Sequence, residues 1–429
     1  MKHYATYSRS DDCFSSNCPQ VFIKGSGCHV TSDDGREFID FGMALRSVIL
    51  GYCNPIVDEA VKKAIDKGVC FTRSNPYEGE LKELLKSIIP CAEEVKLGKN
   101  GSDVTHAAVK LARAYTGRNL VLIAEENPFI STADFFIGTT LVNDGIPRDE
   151  TVRKYSYNNM NVNDRPYNAS EADWNDNYIS LEEYVGQHNI AAIILDPSTI
   201  DINREKLQYI RDLCDKYGII MILDEVISGF RYGMGGVQGL FGVKPDLCTL
   251  GKAMGNGYAV SALCGRKELF DLGLRDKGNV FLLSGTYFSN TPDIAAAIAC
   301  VRELQEVPEY IWETGQDFSD RLRVTIHSAK MSPYMQINDW MPCNPLIVYE
   351  TYDDKFALLE LKTLFDQEMV KQGILMPYIA ISASHTKKEI QQTVDAAEYA
   401  LSVCKKAIDS GNVKESLCGH CEKPVFRKV

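Results

Sequence analysis

No apolar run in this 429-residue chain approaches the roughly 18 residues that mark a membrane-crossing helix. The first residues carry no apolar signal core either: Met1-Lys2-His3-Tyr4 leads into Ser8-Arg9-Ser10-Asp11-Asp12. Positive charge is scarce. Lys plus Arg number 46 against 58 Asp plus Glu, a net charge of −12. A chain so poor in clustered cations is a bad match for nucleic-acid phosphates and for an anionic membrane surface. Internal repeats and low-complexity linkers are missing. Disulfide-scaffold density is missing too: 14 cysteines scatter from Cys13 to Cys421, several inside apolar runs (Cys248, Cys264, Cys300). With no signal core, the expectation is reduced thiols in a cytoplasm. The pair in Cys418-Gly419-His420-Cys421 is half a zinc site with no second pair nearby in sequence, so the expectation is a free polar tail and no metal.

Apolar residues make up 45% and charged residues 24%, enough chain and enough apolar content for a large core without staples. The middle of the chain alternates helix and strand. Ile56–Lys67, Pro76–Ile89, Ser102–Thr116 and Arg204–Lys216 have helical apolar spacing. Asn119–Ala124, Ala191–Leu195, Ile219–Leu223 and Leu247–Leu250 are short apolar runs of strand type. Continuous apolar strands separated by helices predict an α/β fold with a mostly parallel sheet covered on both faces. Functional residues then belong at the strands' carboxyl ends. Past about residue 305 longer helical stretches (Glu309–Lys330, Lys355–Gln372, Thr386–Ile408) flank a few strands such as Leu346–Tyr349. The expected organisation is 1–54 joining a small α+β domain, 55–305 as the large domain, and 306–429 completing the small one.

Three segments need one another. Ile222-Leu223-Asp224-Glu225-Val226 is an apolar strand ending in two acids, which alone reads equally well as a solvated strand end. In Leu250-Gly251-Lys252-Ala253-Met254-Gly255-Asn256-Gly257, a lysine among small residues follows a strand. A lysine held from water has a lowered pKa and a nucleophilic amine suited to Schiff-base chemistry. A nucleotide P-loop fails here, since Asp246 and Ala253 stand where it needs Gly and Ser or Thr; a surface lysine in a glycine-rich turn is the bland alternative. Lys99-Asn100-Gly101-Ser102-Asp103-Val104 opens a helix whose free N–H groups can hold an anion, although an ordinary Asn or Ser cap looks the same in isolation. Together they offer an anion cradle, a carboxylate and a lysine. Pyridoxal 5'-phosphate needs all three: a seat for its phosphate, a carboxylate for its ring nitrogen and an amine for its aldehyde.

With those residues in view, the chain resembles the class III pyridoxal-phosphate-dependent aminotransferases of fold type I, in the branch around glutamate-1-semialdehyde 2,1-aminomutase. The resemblance runs through Gly27–Asp40 (GCHVTSDDGREFID), Leu50-Gly51-Tyr52-Cys53-Asn54-Pro55, Asn100–Arg118 (NGSDVTHAAVKLARAYTGR), Ile222–Arg231 (ILDEVISGFR), Pro245–Gly257 (PDLCTLGKAMGNG) and Ser284–Thr286. It implies a large domain with a mostly parallel seven-stranded sheet between helices and a smaller domain built from both termini. It implies that Lys252 carries the cofactor as a Schiff base and shuttles a proton, and that Asp224 pairs with the ring nitrogen. Val226 would pack under the ring, and Gly101 and Ser102 would hold the phosphate. Thr286 would reach the phosphate of a neighbouring subunit, so that the expected state is a homodimer with shared sites.

The departures from the family pattern bear on function. Phe129, followed by Ile130-Ser131, stands where the family has a ring-stacking Tyr, and Phe stacks without offering a hydroxyl. Asp196-Pro197 replaces a Glu-Pro pair, and the pattern after it is lost in Ser198–Asn203, which leaves Asp201 as a weak candidate for the ring-hydroxyl contact. The aminomutases keep a long glycine-rich lid to hold their diamine intermediate. From Phe129 to Gly145-Ile146-Pro147 this chain is shorter and bulkier, with Phe135-Phe136-Ile137. The expectation is therefore an aminotransferase that takes nitrogen from a donor such as glutamate and gives it to an aldehyde or ketone. The acceptor would be an amino sugar precursor or another polar biosynthetic intermediate. The aminomutase is the alternative, and a cofactor-binding protein without turnover is a third possibility that intact Lys252 and Asp224 argue against. A donor carboxylate calls for an arginine fork, with Arg46 first and Arg73 second. Either could instead be a surface ion pair.

Overall fold

The computed structural model describes residues 10–140, 142–146, 151–163, 178–274, 276–350 and 358–423. The segment 164–177, the start of the helix expected from Lys355, and the end of the lid segment at Pro147 lie outside the described residues. The chain divides into two units. One is Ile56–Gln305; the other is Met1–Pro55 with Glu306–Val429. No helix among the described residues is long and apolar enough to cross a membrane.

The larger unit is built on nine strands: β1 (Glu94–Gly98), β2 (Leu120–Ala124), β3 (Val152–Ser156), β4 (Asn161–Asn163), β5 (Tyr178–Ser180), β6 (Ile190–Leu195), β7 (Ile220–Glu225), β8 (Leu247–Leu250) and β9 (Ser261–Gly265). Their order across the sheet is β1-β9-β8-β7-β6-β2-β3-β4-β5. From β8 to β3 every neighbouring pair is parallel, and β9 lies antiparallel to both β8 and β1. Six strands therefore point one way and β9 alone opposes them, which is the mostly parallel seven-stranded sheet of the sequence reading. The antiparallel β4 and β5 extend it to nine. Three residues each and rich in Asn, Ser and Tyr, they are too short and too polar to show a strand period.

Every residue of β6 and β7 is buried, as expected for central strands packed on both faces. The helices Gly101–Thr116 and Arg204–Tyr217 bury apolar stripes and stop at Gly117 and Gly218, both left-handed at φ 65° and 61°. The strand carrying the two acids runs further than its apolar run suggested, so Asp224 and Glu225 lie within β7. Glu225 is a structural anchor. Its carboxylate accepts from Val237 N (2.6 Å), Gln238 Nε2 (3.0 Å) and Ser228 Oγ (3.2 Å). Gly236 passes so close that a Cβ there would lie 2.1 Å from Glu225 Oε2.

The smaller unit pairs both ends of the chain in one sheet. Phe22–Ser26, His29–Ser32 and Glu37–Asp40 form an antiparallel run, and Ile374–Leu375 joins Glu37–Asp40 in parallel. Met335–Asn338 and Leu346–Tyr349 make a separate two-stranded pair, accompanied by helices Val307–Ser328, Leu358–Lys371 and Lys387–Ser410. The tail is not free, contrary to the sequence reading. His420 N donates to Ser16 Oγ (3.0 Å), Lys423 N to Asp12 O (2.7 Å) and Cys418 N to Gln367 Oε1 (2.6 Å), while the buried Glu422 accepts from Lys362 Nζ. Those partners lie some 50 to 400 positions away, so nothing local marks the docking.

The start of β8, which leads to Lys252, is held by one buried carboxylate. Asp246 accepts from Arg266 Nη1 (2.6 Å), Arg211 Nη1 (2.8 Å) and Met221 N (2.8 Å). Removing one partner of a buried ion pair leaves the rest desolvated and unpaired. Asp246→Ala is expected to lower the unfolding free energy by about 3 kcal/mol, read from urea denaturation, with Asp246→Asn costing less.

Candidate active site

Parallel strands bring their carboxyl ends to one edge of the sheet, and β9, running the other way, brings its first residue there. At that edge lie the turn after β1 with Asn100, Gly101 and Ser102, the turn after β2 with Asn127 and Phe129, Asp196 after β6, Asp224 and Val226 at the end of β7, and Lys252 after β8.

The helix Gly101–Thr116 opens at this edge. Asn100 N donates to Asp103 Oδ2 (2.8 Å), fixing the first turn, while the leading N–H groups of a helix have no acceptor within it. Ser102 Oγ accepts from Thr132 N (2.9 Å), which leaves its hydroxyl hydrogen to donate to an anion. Gly101 is required by close approach: a Cβ there would stand 2.9 and 3.0 Å from the two methyls of Val226. The anion cradle and the residue expected under a cofactor ring thus touch.

Asp224 is buried and sits in register with Thr249 on the neighbouring strand. Its Oδ1 accepts from Thr249 Oγ1 (2.7 Å) and from Val226 N (3.2 Å). Burial, and after it the negative charge of Asp196, push its carboxyl up to about 7 against the pull of these hydrogen bonds and of the Lys252 charge. Such a carboxylate gains from a buried cation presented to it, as a protonated ring nitrogen would be. Lys252 follows Gly251 with a left-handed backbone, φ 43°, an uncommon state for a side-chain-bearing residue. It is half-buried rather than fully withdrawn from water.

Phe129 is half-buried and meets Phe136 edge to face, with centroids 5.7 Å apart and planes at 78°. The bulky segment beyond it is anchored: Phe135 and Phe136 are buried in the same core cluster as Val104, Ala108 and Ile194. Asp201, the weak candidate for a ring-hydroxyl contact, is exposed. Asp196 is the buried acid on that connection, and the break in the family pattern just after it hides this from the sequence. Asn127 was also missed. Its side chain bridges to Asp196 and Thr199, and no residue near it in sequence announces that.

Thr286 is exposed, and its carbonyl accepts from Cys70 Sγ (3.3 Å). Arg73 is exposed on the loop before helix Pro76–Ile88. Arg46 belongs to the smaller unit, where it closes a turn of four consecutive residues at positive φ (Met43 42°, Ala44 49°, Leu45 60°, Arg46 68°) and lies over the Tyr378 ring at 4.7 Å. Such a run of left-handed residues without glycine is costly. Among the described residues no group of three or more His, Cys, Asp or Glu is placed to hold a metal ion.

A family model described as aminotransferase class-III matches residues 14–354. The chain is 32% identical over 407 residues to the 3-aminobutyryl-CoA aminotransferase of Cloacimonas acidaminovorans, covering 91% of each protein. It is 32% identical over 411 residues to the glutamate-1-semialdehyde 2,1-aminomutase of Methanothermobacter thermautotrophicus, covering 89% of this chain and 92% of that one. In three dimensions it resembles the FumI protein of Sphingopyxis sp. MTA144, with a TM-score of 0.81 at 24% identity over 95% of this chain and 94% of that one.

Two outcomes follow from the geometry. Gly101→Ala should weaken cofactor binding about tenfold or more by driving the cradle off Val226, measured by titration with pyridoxal phosphate. Asp224 has a raised pKa in the folded state, so its favourable contribution is whole below the unfolded value of 3.8 and is lost as pH climbs through about 7. The cofactor-free protein should therefore lose thermal stability between about pH 4 and pH 7, and Asp224→Asn should flatten that loss.

Proposed function

The chain belongs to the class III aminotransferase family, and from that premise we propose that it moves an amino group from a donor such as glutamate to an aldehyde or ketone, with pyridoxal 5'-phosphate as its cofactor. The observation that carries this reading is the single sheet edge that holds a helix start, a buried carboxylate and a lysine. When bound, pyridoxal phosphate supplies an electron sink for charge left at the donor's α-carbon.

The chain's own residues fit that group. Gly101 and Ser102 would hold the phosphate. Asp224, steadied by Thr249, would keep the ring nitrogen protonated. Val226 and Phe129 would cover the two faces of the ring. Lys252 Nζ would hold the cofactor's aldehyde carbon between turnovers and carry a proton to and from the donor's α-carbon. Arg46 and Arg73 are proposed for the donor carboxylate. The anchoring of Phe135 and Phe136 supports transfer between two substrates over an intramolecular exchange, which needs a closing lid. A polar carbonyl compound such as an amino sugar precursor is the proposed acceptor, a choice that rests on the sequence resemblance. A second reading, glutamate-1-semialdehyde 2,1-aminomutase, is supported by relatives of that name at 32% to 35% identity.

A homodimer with Thr286 serving the neighbouring site is proposed as well. It is supported by exposed aromatic side chains near Thr286 and near Cys70, which donates to its carbonyl: Phe281 is 76% exposed, Tyr287 66% and Phe71 47%. All 14 cysteines are free thiols, which supports a cytoplasmic setting.

Glutamate added to the purified holoenzyme should erase the bound cofactor's visible band and release one equivalent of 2-oxoglutarate. An unchanged spectrum would overturn glutamate as the donor and keep the binding protein in play, and conversion of glutamate-1-semialdehyde with no second substrate would identify the mutase. Lys252→Ala should abolish turnover. Arg73→Ala or Arg46→Ala, whichever removes the donor contact, should raise KM for glutamate about tenfold or more.

A further inference from the structure

Two consecutive side chains lace the end of β2 to both of its neighbours. Glu126 accepts from Ser156 Oγ (2.9 Å), Tyr157 N (3.0 Å) and Asn158 N (3.0 Å) at the end of β3. Asn127 works in the opposite direction. Its Oδ1 accepts from Asp196 N (2.8 Å), and its Nδ2 donates to Asp196 O (2.8 Å) and to Thr199 Oγ1 (2.8 Å). The residue is 6% exposed. Its amide thus has three of its four hydrogen-bonding positions engaged by one short turn, Asp196–Thr199, that is 69 positions away in sequence.

That turn holds the acid beside Asp224, and Asn127 stands two residues before Phe129. Asp196 Oδ1 is itself fixed by Ser198 N (2.8 Å). A third tie closes the arrangement, because Thr132 N, three residues past Phe129, donates to Ser102 Oγ in the anion cradle. The Phe129 turn therefore has a polar anchor on each side of it. One is Ser102; the other is Asn127 on the Asp196 turn.

We infer that Asn127 is a positioning residue for the cofactor site: its bridging amide holds the Phe129 turn and Asp196 in one fixed relation, so that the ring-stacking face and the acid pair are set together. Asn127 touches neither substrate nor the reacting atoms and acts through Phe129 and Asp196. Without the bridge the Phe129 turn loses its tie to the Asp196 turn, and Asp196 loses the two backbone hydrogen bonds it makes with the Asn127 amide. The charge of Asp196 against Asp224 then varies with the turn, and with it the electrostatics at the ring nitrogen.

This inference rests on the cofactor site proposed above, and its test separates the two. Borohydride reduction of the wild-type holoenzyme must label Lys252; failure there sinks the site, whatever Asn127 does. Given that label, Asn127→Ala is compared with Thr199→Ala, which removes one bond of the three, and with Asn127→Asp, which keeps the acceptor for Asp196 N. The readouts are the visible circular dichroism per bound cofactor, the rate of cofactor loss, and the pH dependence of the visible band. For Asn127→Ala we expect cofactor loss about tenfold faster, a reduced dichroism and a displaced pH midpoint. Thr199→Ala should change all three in the same direction by less, and Asn127→Asp should recover part of the dichroism. If Asn127→Ala lowers only the melting temperature and leaves all three readouts at wild-type values, the inference is overturned. If Asn127→Ala does not fold, wild-type readouts in Thr199→Ala and Asn127→Asp overturn it equally.

Discussion

The site turns on the cost of keeping the Asp224 carboxylate out of water. A buried anion is tolerated where hydrogen bonds hold it and a positive group can meet it. The fold supplies the first part. Parallel register sets Thr249 beside Asp224, and the Val226 N–H caps the same oxygen. Asp196 then opposes ionisation from the next strand. The result is a carboxylate whose charge a bound cation, as in the proposed site, would stabilise further. That explains why such an acid sits at the end of a central strand, where side chains are otherwise apolar.

Next to Asp224, Glu225 shows the same cost met differently. Burial pushes it to about 7 as well. It is answered from within by Val237, Gln238 and Ser228, with Gly236 leaving it room. Asp224 faces the edge where a ligand can enter, whereas Glu225 pins the following loop. Period-two alternation of a strand sends consecutive side chains to opposite faces, so one pair of acids divides into a proposed binding group and a structural one.

Where the candidate site is marked by local signals, its placement was legible in the sequence. Lys252 sits among small residues after an apolar strand, Asp224 closes another, and Gly101-Ser102 opens an amphipathic helix; each is a junction that periodicity can find. Asn127, Asp196 and Glu225 were not legible, since their meaning lies in partners that only the sheet order supplies. β2 and β6 are neighbours in space with β3, β4 and β5 between them in the chain. The docking of the tail on Ser16 and Asp12 was hidden for the same reason, and the two added edge strands because three polar residues carry no period. The anchoring of Phe135 and Phe136 could be suspected from their bulk but became definite only when the core around them was visible.

The replacement of a stacking Tyr by Phe129 follows from this division between local and tertiary signals. A tyrosine over a cofactor ring can be held by its own hydroxyl, whereas phenylalanine can be held only by its packing and by its backbone. Here the packing includes an edge-to-face contact with Phe136, worth about 1 kcal/mol beyond its buried area, and contact with the core cluster. The backbone must then be fixed from both sides, and it is: Asn127 ties one side to the Asp196 turn and Ser102 ties the other to the anion cradle. Loss of a polar handle on the ring is thus offset by polar handles on the turn. In the proposed site the same turn would serve the phosphate end and the ring, so a shift at either end would move both. Precision at the ring is in this way a property of how three strand ends are joined rather than of any one residue placed against it.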